Sequence, residues 1–174
     1  MVGGSEAVVR EAAHGLAGRG YDVELLTTCA LDHYSWENEL APGTTTDGLV
    51  TVRRFPTIQA RDPGRWTFMQ ERVLAGDKLD EAEEVAWING RFRVPDLYLH
   101  LAGHAEEYAA IIFSPYLFWS TLYCTGIAPE RTILLGASLL TAFAVPALSA
   151  AAAGVATSTP HSAKGCLLYT SRCV

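Results

Sequence analysis

Apolar residues recur at Val8, Val9, Ala12, Ala13, Leu16 and Ala17. That is the spacing of one helix face, and it predicts a helix over 4–19. Ser5 and Glu6 suit its first turn, where unpaired N–H groups and the helix dipole favour oxygen acceptors, and Gly18 and Gly20 end it. Residues 21–28 read as a strand, followed by a polar loop through 32–38. Pro42-Gly43 and Asp47-Gly48 are turn signals, and a second strand over 49–55 is stopped by Pro56. Helical patterns follow at 66–75, 79–89 and 95–107, then a short buried strand at 110–113 and a helix at 116–124. The chain closes on a strand at 132–135, a helix at 139–152 and a strand at 155–158. Alternation of this kind predicts an α/β domain, a Rossmann-like doubly wound parallel sheet with helices on both faces.

Composition sharpens the class. The chain has 174 residues and is 49% hydrophobic, enough for one core, which excludes a disordered chain or a coiled coil. Asp and Glu outnumber Lys and Arg by 19 to 13, giving a formal charge of −6 and no basic surplus to pair with nucleic acid. Cys29, Cys124, Cys166 and Cys173 show neither metal-ligand spacing nor a disulfide framework, which fits a reduced, cytoplasmic setting. The uncharged stretch 132–160 is long enough to span a bilayer. It is punctuated by Gly136, Pro146 and Gly154 and is rich in alanine, so it reads as buried strand–helix–strand core.

Both ends carry expectations of their own. A glycine turn entering a helix normally follows a β-strand, and no residues precede Met1-Val2-Gly3-Gly4, so the domain is expected to lack its first strand. That strand belongs at the sheet's centre, and its loss should leave two unpaired edges. Cys166-Leu167-Leu168-Tyr169-Thr170-Ser171 is the translation of TGTCTCTTATACACATCT, which resembles a transposon-end adapter. Residues 1–165 are therefore read as the domain and 166–174 as an adapter-derived tail.

In a doubly wound sheet ligands sit beyond the carboxyl ends of the strands. Four segments of this chain lie there: Gly3-Gly4, the loop 28–38, Ser114-Pro115-Tyr116 and the turn after Leu135. Gly3-Gly4 brings backbone N–H groups toward an anion at a helix start, or serves simply as a tight turn. The G-x-G-x-x-G pattern of a nicotinamide site is absent, and Thr27-Thr28 stands where an acidic residue would end the next strand. In the polar loop of Asp32, His33, Trp36, Glu37 and Asn38, the indole either stacks on a sugar or pins the loop. His100 and His104 have the spacing of a zinc-binding helix face, but Leu101 follows His100 and no third ligand is evident, so they read as two solvated histidines. Ser114 precedes a proline and lies outside any G-x-S-x-G elbow. Glu81, Glu83 and Glu84 read as a solvated helix start.

Taken in order, Gly3-Gly4-Ser5-Glu6, Leu16-Ala17 and Gly20-Tyr21-Asp22-Val23-Glu24 resemble the opening of family 4 glycosyltransferases of the GT-B fold. The likeness continues through Thr27-Thr28-Cys29-Ala30, Asp32-His33, Trp36-Glu37-Asn38, Pro42-Gly43, Asp47-Gly48 and Val52-Arg53-Arg54-Phe55-Pro56. Arg61-Asp62, Trp87 and Phe113-Ser114-Pro115-Tyr116-Leu117 extend it, so it covers roughly residues 1–165 and is similar to a bacterial subgroup.

The resemblance implies metal-independent transfer of a sugar, with retention, from a nucleotide-sugar donor to an unidentified acceptor, with no cofactor. It assigns this chain the acceptor-side domain and leaves the donor to a C-terminal domain with a Glu-x7-Glu motif, without which the chain is inactive. Gly3 and Gly4 are implied as donor-phosphate contacts. Glu6, Thr28, His33, Trp36, Asn38, Ser114 and Tyr116 are implied as acceptor or cleft contacts. Where the subgroup carries a His-Asp-Glu type motif, this chain reads Ser138-Leu139-Leu140-Thr141, so no catalytic residue is assigned within it. Two other readings stand beside this one: a different Rossmann-type nucleotide-binding protein, and a membrane-associated, non-enzymatic protein using 132–156. Peripheral membrane association is a further partner reading.

Overall fold

The computed structural model describes residues 4–32, 34–114, 118–135 and 164–169, with side chains outside the description for 4–6 and 164–169. It is a mixed α/β fold with a six-stranded sheet, a two-stranded sheet and, among the described residues, five α-helices. The helix expected over 139–152, the strand over 155–158 and the turn after Leu135 lie outside the described residues.

Helix α1 (Gly4–Ala17) is followed by a tight turn in which Gly20, at φ 91°, takes the left-handed conformation that glycine adopts without a Cβ clash. Strand β1 (Asp22–Thr28) starts directly afterwards, so α1 runs antiparallel to it. The N-terminus of α1 therefore lies at the carboxyl end of the sheet. Strands β2 (Gly43–Asp47) and β3 (Val50–Phe55) form a hairpin across Gly48-Leu49, with Gly48 at φ 60°. Sequence periodicity missed β2, because an edge strand reading Gly-Thr-Thr-Thr-Asp is polar on both faces and has no apolar alternation to reveal it.

An excursion follows. Strand β4 (Ile58–Gln59) pairs antiparallel with β5 (Phe92–Arg93), and between them run α2 (Pro63–Leu74) and α3 (Glu81–Asn89). Asp62 caps α2 by accepting from the Arg65 N–H, and Pro63 fills the first helical position, where its missing donor costs nothing. Asp80 and Glu83 form a capping box at α3, and Glu83 also accepts from Arg72 at 2.5 Å. The Glu81–Glu84 segment is thus a built helix start, and Glu83 is only half exposed.

Helix α4 (Pro95–His104) leads through a single 3₁₀ turn into β6 (Tyr108–Ser114). Helix α5 (Trp119–Cys124) and β7 (Thr132–Leu134) follow, and β8 (Lys164–Tyr169) is last. The strand order in the large sheet is β2-β3-β1-β8-β6-β7, with every pairing parallel except β2 with β3.

The position of β8 departs from the sequence reading. Two open edges were expected beside an absent central strand. Instead Lys164–Tyr169 lies between β1 and β6, in register from Asp22↔Lys164 to Leu26↔Leu168 on one side and through Ser114↔Tyr169 on the other. The physical reason is backbone satisfaction: two facing rows of N–H and C=O groups in a sheet interior are costly unpaired, and one parallel strand satisfies both.

Alternation of side chains along the strands divides the core in two. Val23, Leu25, Val50, Val52 and Ile112 pack under α1, against Val9, Ala12, Ala13, Leu16 and Ala17. Leu26, Phe55, Ile111 and Phe113 face the other way, toward Leu97 and Leu101 of α4. On that side Glu24 is buried, bonded by Arg53 Nε at 2.7 Å and by the Tyr108 hydroxyl at 2.5 Å, with His100 Nε2 at 3.4 Å from the same hydroxyl. His100 and His104 are accordingly not solvated: both are half-buried, their rings stack at 4.3 Å, and His104 Nδ1 lies 2.7 Å from the His100 carbonyl.

Candidate functional site at the carboxyl edge of the sheet

The strand ends bring together residues that are distant in sequence. Thr27 of β1 is paired in register with Arg54 of β3. Leu26 and Phe113 both pair with Leu168, so Thr27 and Ser114 stand on either side of the Tyr169 position, two strand spacings or roughly 10 Å apart. Alternation from Leu25, Val52 and Ile112 puts Thr27, Arg54 and Ser114 on the face covered by α1. They form one row across the sheet, at the end toward which the α1 N-terminus points.

This row is short of hydrogen-bond partners. Among the described residues, Thr27 Oγ1, Ser114 Oγ and Arg54 Nε are buried with no partner, while Arg54 Nη1 donates to Thr45 Oγ1 at 2.8 Å. Burying one such group unsatisfied costs about 1–3 kcal/mol, so three in one row leave hydrogen-bonding capacity that a polar group or ordered water could satisfy. Two donor–acceptor hydroxyls, a guanidinium and the positive end of a 14-residue helix suit a hydroxyl-rich or anionic group.

The candidates read from sequence distribute unevenly around it. Ser114 is in the row, and Gly4 and Glu6 lie in the first turn of α1, with the Glu6 side chain outside the description. Gly3, His33 and Tyr116 lie outside the described residues, as does the segment 138–141. Thr28 points to the opposite face and accepts from the Ala30 N–H at 3.3 Å.

Trp36 is enclosed, at 1% exposure, with its ring 3.7 Å from that of Phe92 and Phe118 against its edge. Of the two roles open to this indole, pinning the loop is the one the structure displays. Asn38 reads the backbone of Thr57 from both sides, accepting from its N–H at 2.7 Å and donating to its carbonyl at 2.9 Å. Trp36 also has φ 55°, an uncommon conformation for a bulky residue, costing on the order of 1–3 kcal/mol. Its carbonyl is held there by Thr57 Oγ1 at 2.6 Å and by Gln59 Nε2.

Thr27 and Arg54 were missed as site residues. The signal available was a charged residue in a strand otherwise reading as buried parallel sheet, and it acquires meaning only once register pairs it with Thr27. Both described cysteines are buried and held toward the thiol form. Burial pushes the Cys124 thiol up to about 12, and burial raises Cys29 as well, partly opposed by the Arg54 charge. Among the described residues no group of three or more His, Cys, Asp or Glu could hold a metal ion, and no helix is long and apolar enough to cross a membrane. Compared with protein-family models, with curated proteins and with solved structures, the chain gives no significant match.

Proposed function

We propose that this chain is the acceptor-side domain of a retaining, metal-independent glycosyltransferase of the GT-B type, a Rossmann-like doubly wound domain working with a separate donor-binding domain. The observation that carries the reading is the row of Arg54, Thr27 and Ser114, three polar groups without partners among the described residues, at the carboxyl ends of parallel strands beneath a helix N-terminus. Parallel sheets with α-helical faces place their ligands at this edge. The sequence pieces from Gly3 to Leu117 that resemble family 4 enzymes supply the reaction class. In this reading the row orients hydroxyls of the acceptor and lends positive charge toward the donor phosphates, whose departure needs stabilisation. The nucleotide is held by the second domain, so the chain alone does not turn over.

The test begins at the gene. Long reads across the locus should show an open frame continuing past Gly165 into a second α/β domain with a Glu-x7-Glu motif; a frame that closes there defeats the proposal. In the complete enzyme, Arg54→Gln should lower kcat/KM about tenfold to a hundredfold, the value of one hydrogen bond to a charged group. An unchanged kcat/KM would remove the row from the site.

A further inference from the structure

A second polar site lies in the β4–β5 excursion, away from the row under α1. Arg61, Arg65 and Arg93 line a cavity of about 190 Å³ together with Trp66 and the single carboxylate of Asp62. In a chain of net charge −6, this is a local surplus of positive charge. Among the described residues none of the three arginines has an ion-pair partner, although Arg65 contributes to the field that lowers the Glu83 pKa behind the direct hydrogen bond from Arg72. Asp62 is occupied in capping α2, with Oδ1 3.0 Å from the Arg65 N–H.

The walls are fixed. A Cβ on Gly90 would meet the Ala86 carbonyl oxygen of α3 at 2.8 Å, so the end of α3 at this wall requires glycine, and Trp66 packs beside it at ordinary contact distance. The Arg91 guanidinium lies over the Trp66 ring at 4.5 Å and over Trp36 at 5.9 Å, tying this wall to the core. The Asn89 amide, which also lines the cavity, is spent on Trp119, Val85 and Tyr123. The guanidiniums are thus the polar groups left for a ligand.

We infer that this cavity binds the phosphate of a phosphomonoester. Guanidinium forks match phosphate and carboxylate oxygens alike. Charge separates the two: three cations against one carboxylate leave about two positive charges, the match for a phosphomonoester dianion rather than a carboxylate monoanion. The volume is below that of a drug-sized pocket, so it takes a phosphate with a few attached atoms. The inference stands independently of the glycosyltransferase reading.

Calorimetric titration of the full chain at low ionic strength tests it, with glycerol 3-phosphate, acetate and phosphatidic-acid vesicles as probes. Glycerol 3-phosphate should bind with a millimolar or lower Kd, and at least about tenfold more tightly than acetate. Arg61→Gln with Arg93→Gln should weaken it at least about tenfold without moving the melting midpoint, since both side chains are exposed, whereas Arg19→Gln at the end of α1 should leave it within about twofold. Tighter binding to the vesicles than to glycerol 3-phosphate, lost in the same double variant, assigns the phosphate to a lipid; the reverse order assigns it to a soluble ligand. Equal affinity for acetate and phosphate, an unaltered affinity in the double variant, or no heat from either phosphate source at about 10 mM would overturn the inference.

Discussion

The two faces of the large sheet solve the same packing problem with different materials. Under α1 the core is aliphatic and small, and its polar fastening sits at the rim, where Arg10 Nε bonds Asp47 at 2.9 Å and His14 Nε2 approaches the same carboxylate at 3.0 Å. Toward α4 the core holds Trp36, Phe92, Phe113 and Tyr108, with the Glu24 carboxylate enclosed among them. Solvent screens the first fastening, while the second works in a low dielectric, where an unpaired group costs far more. The lesson is that the α4 face carries the specificity of the fold and the α1 face its pliability.

The contrast can be broken most directly at Trp36. Trp36→Ala should cost about 3–5 kcal/mol by urea unfolding, because the ring fills the α4 core and alanine, which keeps a Cβ, leaves the strain of the positive φ in place. A loss below about 1 kcal/mol would show that the ring does not hold this face together. Tyr108→Phe comes next, at about 1–3 kcal/mol, because it removes one donor from a buried carboxylate. Pairing it with Glu24→Gln in a double-mutant cycle should give a non-additive result, and strict additivity would separate the two groups.

The smallest effect belongs to the rim. The hydrogen bond from Arg10, followed by that from His14, holds the Asp47 carboxyl below the usual carboxylate range. A carboxyl with a lower pKa folded than unfolded stabilises the fold above the unfolded value, and that contribution is lost as pH falls through the folded one. Asp47→Asn should therefore flatten the acid limb of stability below about pH 4, with well under about 1 kcal/mol lost at neutrality. An acid limb unchanged in this variant would assign the pH dependence elsewhere.

Strong local periodicity carried the readable part of the fold. Apolar spacing located α1, β1, β3, α4, β6 and β7 to within a few residues, since the helices carry apolar residues at helical spacing and the central strands, buried between two layers, read as short apolar runs. The site was less legible, for reasons of register and distance. Trp36 and Asn38 stood out as polar-loop residues, yet their partners Phe92 and Thr57 come from strands that local pattern does not connect to that loop. Thr27 and Arg54 looked like the ends of two ordinary strands until parallel pairing set them side by side. Strand β8 was illegible as a central strand because residues 166–174 read as an adapter-derived tail, and the central slot was expected to belong to a segment ahead of residue 1.

That placement of β8 governs the order in which the molecule can assemble. The β2–β3 hairpin, β1 and α1 are close in sequence and can associate early, as can β6 with β7. Joining these two halves requires residues 164–169 to arrive and pair with residues 22–26, a closure across most of the polypeptide. Until then β1 and β6 each present an open parallel edge, and during synthesis on the ribosome that interval lasts until β8 has emerged. Folding should thus proceed as two preformed pieces awaiting a clasp, with the unclasped pair as the species most prone to aggregate.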